Sequence, residues 1–159
     1  MGFSETGKVW MNGRLVEWKN ATIHVASHVI HYGSGIFEGI RAYQSKSGPN
    51  VFRLAEHMRR LADSCRVYRM DLPYSIEQLS DAVLETIRAN GYQSCYIRPL
   101  IYRGYAQLGV NPMPCPVDAP ILARMPAALR LFWRNWIAFS YTTDPQLPVR
   151  ICILTSNPF

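Results

Sequence analysis

The chain has 159 residues and 18.2 kDa, is 48% hydrophobic and 18% charged, and sets seventeen Lys and Arg against eleven Asp and Glu. That length buries one sizeable core, and the apolar fraction excludes wholesale disorder. Arg, Asn or Pro interrupts every apolar stretch before the roughly 18 to 20 residues of a membrane-spanning helix accumulate, so no membrane partner is expected.

The N-terminal MGFSETGKVW lacks the basic-then-apolar layout of a signal peptide. Cys65, Cys95, Cys115 and Cys152 stand far apart, with no C-x-x-C. Reduced thiols in a cytoplasmic protein are the expectation, rather than a disulfide framework or a zinc knuckle. Lys8, Lys19 and Lys46 are the only lysines, so the other fourteen cations are arginines. The planar fork of arginine suits the carboxylates and phosphates of small ligands. A nucleic-acid binder gathers its cations in a run or on one face, and here the longest run is Arg59–Arg60. Nucleic acid is therefore not an expected partner.

Residues 9–16, VWMNGRLV, predict a hairpin turning at Asn12-Gly13, a pair that accepts the positive φ angles of a type I′ turn. Residues 36–43 alternate as a strand, residues 45–50 form a polar loop, and residues 51–53 form the return strand. From Leu54 the period changes to three and four, through Met58, Leu61, Ala62 and Cys65, which predicts an amphipathic helix over 55–68. A second helix opens at Ser75, with Gln78 completing a capping box, and stops at Asn90-Gly91. Its apolar face is Ile76, Leu79, Val83 and Ile87. Residues 95–102 predict a strand with Cys95, Ile97 and Ile101 on one face and Tyr96, Arg98 and Tyr102 on the other. Pro99 points to an edge position or a bulge. Two helices on a small mixed sheet make an α+β domain.

After Asp118 the composition shifts. Residues 119–159 hold five of the eleven prolines, four arginines, two of the four tryptophans, no lysine and one acid, Asp144. Within them, residues 127–139 have helical potential, with Leu131, Trp133 and Trp136 as apolar weight. Such a segment is what an out-of-frame reading of a coding sequence looks like; the other reading is a divergent second element. The expected division is a body over 1–118 and an unmatched tail over 119–159.

The stretches VWMNGRLVEW (9–18), HVASHVIHYGSGIFEGIRAY (24–43), GPNVFRLAEHMRRL (48–61), YIRPLIYRG (96–104) and LGVNP (108–112) occur in this order. Together they resemble the N-terminal domain of branched-chain amino-acid aminotransferases, pyridoxal-phosphate enzymes of fold type IV. The run HYGSGIFEGIR (31–41) carries the most specific part of the likeness.

That resemblance implies transfer of the amino group of Leu, Ile or Val to 2-oxoglutarate, with pyridoxal 5'-phosphate as cofactor and a homodimer or higher oligomer as the intact enzyme. It places Arg60 on the cofactor phosphate. It places Tyr32, Phe37, Gly39, Arg41, Tyr96, Arg98 and Val110 in the substrate pocket, some reaching across to the neighbouring subunit. Phe37 and Val110 would supply apolar wall, and Arg98 with Tyr96 and Tyr32 would meet the second carboxylate of glutamate. The lysine that holds the cofactor lies in the family's second domain, and none of Lys8, Lys19 or Lys46 stands in a matching context. The chain alone is therefore expected to be inactive.

Rival readings are D-amino-acid aminotransferase or aminodeoxychorismate lyase within the fold, and a non-catalytic remnant that binds small anions or whole subunits. His24, His28 and His31 imitate a helical metal site in spacing, but no carboxylate or cysteine accompanies them at ligand distance in sequence, so no metal is expected.

Overall fold

A computed structural model describes residues 7–124. The chain opens with β1 (Lys8–Met11) and β2 (Arg14–Glu17), paired antiparallel from Lys8↔Glu17 to Met11↔Arg14. Both turn residues take positive φ, 51° at Asn12 and 92° at Gly13, as a type I′ turn requires. A 3-10 turn (Trp18–Asn20) and the short α1 (His28–Tyr32) lead into β3 (Gly35–Phe37) and β4 (Ile40–Ser45). The return strand β5 (Gly48–Val51) begins earlier than the sequence suggests, after a two-residue turn with Gly48 at φ 107°.

The two helices fall where the apolar period puts them. Helix α2 spans Leu54–Val67 and buries Met58, Leu61 and Cys65. Helix α3 spans Ile76–Ala89 and buries Leu79, Ala82, Val83, Thr86 and Ile87. Both halves of the α3 capping box form: Gln78 N donates to Ser75 Oγ at 3.2 Å, and Ser75 N donates to Gln78 Oε1 at 2.8 Å. Strand β6 (Cys95–Arg103) follows, then β7 (Val117–Asp118) and β8 (Pro120–Arg124).

All the strand pairs are antiparallel, so the expected mixed sheet is an antiparallel one. Its order is β2-β1-β8-β6-β4-β5, with β3 and β7 also on β6. Strand β6 is therefore central, not an edge, despite Pro99. No bulge is needed either: Ile97↔Ile40 and Leu100↔Phe37 share one register, which continues through Pro99 opposite Glu38. Glu38 N donates to Pro99 O at 3.1 Å, and Pro99 has no N–H to return. The ladder is interrupted there without slipping, which is why one strand reads as β3 and β4.

Residues 119–124 depart from the expectation that the body stops at Asp118. Strand β8 lies inside the sheet, pairing Ile121 with both Trp10 and Pro99. The helical potential over 127–139, with Trp133 and Trp136, lies outside the described residues.

One face of the sheet and the two helices enclose the core: Ile36, Ile40, Ala42, Ile97, Ile101 and Ile121 from strands meet Met58, Leu61, Leu79, Val83 and Ile87 from helices. Ile97 is fully buried at the centre. Truncation by Ile97→Ala removes its methyls from a site with no room to collapse and costs about 2–5 kcal/mol. Ser75→Ala, which breaks only the α3 cap, costs about 1 kcal/mol. Urea unfolding midpoints of the two variants check this order, and an Ile97→Ala no worse than Ser75→Ala would refute the packing described.

Candidate active site

The sheet face turned away from the helices carries the candidate site, and strand register decides who is on it. Phe37, Gly39 and Arg41 alternate onto that face, opposite Leu100, Arg98 and Tyr96 respectively. Five of the seven expected substrate positions thus share one surface within two neighbouring strands.

Arg98 knits three of them together. Its guanidinium carbon lies 4.1 Å from the Phe37 ring centroid and 5.2 Å from that of Tyr96. Its Nε and Nη2 donate to the Tyr96 hydroxyl at 3.0 and 2.5 Å. A cation held over an aromatic face and tethered to a phenol keeps its remaining donors in one plane. Gly39 is needed for space: a Cβ there would stand 2.7 Å from the Tyr96 hydroxyl. The room that the glycine leaves is taken by Tyr96 of the same chain.

Arg60, in the second turn of α2, is tied to the opposite side of the same strand stretch. Its Nε donates to Glu38 Oε1 and its Nη2 to Glu38 Oε2, both at 2.6 Å. His57 Nδ1 lies 2.9 Å from Glu38 Oε2; facing a carboxylate, it is the protonated ring nitrogen. The Glu38 side chain is 6% exposed, that of Arg60 62%. Burial pulls the Glu38 carboxyl up, but the bonds from Arg60 and His57 more than offset it and hold it below the ordinary 4.5. The Arg60 guanidinium is correspondingly held protonated by Glu38.

Glu38 and His57 were absent from the residues singled out by sequence. A signal exists: Glu38 stands in phase with Ile36, Ile40 and Ala42, the row that faces the helices. An acid in such a row must find a partner.

Tyr32 and Val110 stand apart from this contact set. Tyr32, on α1, packs its ring on His28 at 4.5 Å and is 45% exposed. Val110 is 80% exposed in the loop after β6. That loop is anchored by buried Arg103, which donates to Cys115 O at 2.9 Å and Arg69 O at 2.6 Å. Tyr102 shares the phase of Arg98 but is 1% exposed: Gly35, beside Val29 of α1, packs on its Cβ.

Lys8 pairs with Glu17 at the hairpin, Lys19 lies in the 3-10 turn, and Lys46 in the β4–β5 turn. The three histidines diverge. His28 Nδ1 meets Ser34 Oγ at 2.6 Å, His31 Nε2 meets Val25 O at 3.1 Å, and the His24 ring stacks on Tyr105. Among the described residues no group of His, Cys, Asp or Glu is placed to hold a metal, and no helix is long and apolar enough to cross a membrane.

Comparison with known proteins agrees on one family. A family model described as amino-transferase class IV matches residues 35–138. The branched-chain-amino-acid aminotransferase of Salmonella typhimurium is 48% identical over 118 residues, which is 74% of this chain and 38% of that protein. Two crystal structures of the T.th. branched-chain amino acid aminotransferase superpose with a TM-score of 0.73 at 47% identity, covering 76% of this chain. One is complexed with N-(5'-phosphopyridoxyl)-L-glutamate and the other with 4-methylvaleric acid; 40% and 41% of those chains are covered. The chain spans about two fifths of the length of these relatives.

The Glu38 cluster sets an acid limit on stability. A carboxyl whose folded pKa is lowered stabilises the fold fully above its ordinary, unfolded value of 4.5, and that contribution is lost as pH falls through the folded value. Urea midpoints of the wild type and Glu38→Gln, measured from pH 7 to pH 3, are expected to differ most near neutrality and to converge on acidification. A gap that stays constant with pH would show that the Glu38 charge contributes nothing.

Proposed function

The chain belongs to the class IV aminotransferases, and from that premise we propose that it supplies the N-terminal part of a branched-chain-amino-acid aminotransferase working in the cytoplasm. The reaction is transfer of the amino group of Leu, Ile or Val to 2-oxoglutarate. The observation that carries the reading is the Arg98 guanidinium seated on Phe37 and bonded to Tyr96. A transaminase of this specificity must accept an apolar side chain and the second carboxylate of glutamate in one pocket. Phe37 offers the first an apolar wall, and Arg98 with the Tyr96 hydroxyl offers the second a charge-assisted contact.

The cofactor of this reading is pyridoxal 5'-phosphate, which when bound supplies the electron sink for breaking bonds at the substrate α-carbon. Arg60 fits its phosphate. Nη1 forms no hydrogen bond among the described residues, and the side chain is mostly exposed. The cofactor-holding lysine and the α-carboxylate contacts belong, on this reading, to the second domain of the intact enzyme. Tyr32 and Val110 belong to the neighbouring subunit's pocket, consistent with their standing away from Arg98 in their own chain.

Two measurements test this. Residues 1–124 joined in frame to the remainder of the Salmonella typhimurium relative form a chimera whose half-reactions can be followed separately. Arg98→Ala should lower the specificity constant for glutamate and 2-oxoglutarate by roughly ten- to a hundredfold and that for leucine by far less, because only the diacid pair presents a distal carboxylate. Arg60→Ala should lower both together. Equal damage by Arg98→Ala to the leucine and glutamate half-reactions would sink the pocket assignment. The 159-residue chain itself, treated with cofactor and borohydride, should retain no stoichiometric pyridoxyl adduct at any one lysine; such an adduct with leucine turnover would show that it needs no second domain.

A further inference from the structure

Glu38 takes no part in the substrate face, yet it holds the most deeply buried carboxylate bonds described in the chain. It grips Arg60 side-on: one oxygen receives Nε–H and the other receives one Nη2–H, both at 2.6 Å. A guanidinium carries five N–H donors in a rigid plane. The side-on grip consumes two and leaves both Nη1 protons and the second Nη2 proton. One Nη1 proton and the second Nη2 proton form the end-on edge, whose two parallel N–H bonds match two oxygens of one anion; Nη2 also stands 3.4 Å from His57 Nδ1.

The grip itself is fixed from behind. Glu38 is 6% exposed at its side chain, bonded to His57 Nδ1 at 2.9 Å, and held in the sheet by its own N–H to Pro99 O at 3.1 Å. Arg60, by contrast, is a long, largely exposed side chain that carries much rotamer entropy when untethered. Left alone it would sample many directions.

We infer that Glu38, braced by His57, is a positioning residue that turns the free edge of Arg60 outward to receive a phosphate monoester. This rests on the assignment of Arg60 to the cofactor phosphate and deepens it. It also explains the placement. Phe37 and Gly39, the neighbours of Glu38 in sequence, line the substrate face, so the phosphate-facing guanidinium is referenced to the same three-residue stretch as the pocket wall.

The test uses the full 159-residue chain and two probes that lack an aldehyde and so do not react with surface lysines: pyridoxamine 5'-phosphate and pyridoxamine. The wild type should bind the phosphorylated probe about tenfold more tightly, one charge-assisted contact's worth of affinity. Glu38→Gln should reduce that ratio to about two or three while leaving pyridoxamine binding unchanged, a selectivity that a purely structural role would not move. Arg60→Lys should reduce it equally, since an ammonium keeps the charge but cannot hold Glu38 and present a fixed edge together. Arg60→Lys replaces an exposed side chain, so it decides the matter even if Glu38→Gln fails to fold. A wild-type ratio near one, or an Arg60→Ala variant that keeps the full ratio, would overturn the assignment of Arg60 and this inference with it. An Arg60→Ala that abolishes the ratio, with Glu38→Gln or Arg60→Lys preserving it, would leave the assignment standing and overturn the positioning role alone.

Discussion

The candidate site hangs on the register of β6 against its two neighbours. On one side, residues 35–42 pair with 95–102 in a single register from Gly35↔Tyr102 to Ala42↔Cys95. On the other, residues 117–124 pair with 96–103 in a single register from Val117↔Arg103 to Arg124↔Tyr96. Each partner is interrupted once, beside a proline with no N–H to donate: Pro99 opposite Glu38, and Pro120 where the register meets Leu100. A slip of one residue at either place would turn every side chain beyond it to the wrong face. The apolar rows prevent it. Ile36, Ile40, Ala42, Cys95, Ile97 and Ile101 must all face α2 and α3, and the lost hydrogen bonds cost less than exposing that row.

Much of this was legible from the chain. The hairpin turn, both helices, the α3 cap and the two faces of β6 follow from local chemistry: positive-φ residues at 12 and 13, a three-four apolar period, a Ser and Gln at capping distance. The antiparallel sheet and the place of β8 did not follow. β8 joins Trp10 and Ile121, residues more than a hundred positions apart, and no local pattern announces such a pair. Pro99 misled for a related reason. Its missing donor predicts a gap in a ladder, and a gap can be tolerated in a central strand when the opposite residue's N–H still finds the proline carbonyl.

The candidate site was drawn from family blocks and not from chemistry. The spacing of Tyr96 and Arg98 puts them on one face of β6, but nothing in it reveals that Phe37 meets Arg98, because that contact runs across strands. The Glu38–Arg60 pair is harder still. His57 and Arg60, three apart on α2, share a helix face, which is visible in sequence. That Glu38 is what they face depends on how α2 lies over β3 and β4. Tyr102 shows the converse: its phase matches the open face, but α1 has already covered it.

The sign of the open face follows from the same register. Tyr96 stands between Arg41 on one neighbouring strand and Arg124 on the other, and the guanidinium of Arg98, two residues on, is bonded to its phenol. The stretch from β3 through β4 contains a single acid, Glu38 between the two, and alternation sends it to the helix side. Asp118 lies farther along, beyond Leu100 and opposite Tyr102, and is bonded by Asn12 Nδ2 at 2.8 Å. Were Glu38 shifted by one position it would sit on the face of Arg98, and its charge would compete with any carboxylate arriving there. Turned inward, the same acid spends its charge on Arg60 instead, so one alternation both keeps a carboxylate off the face of Arg98 and anchors a second guanidinium behind it.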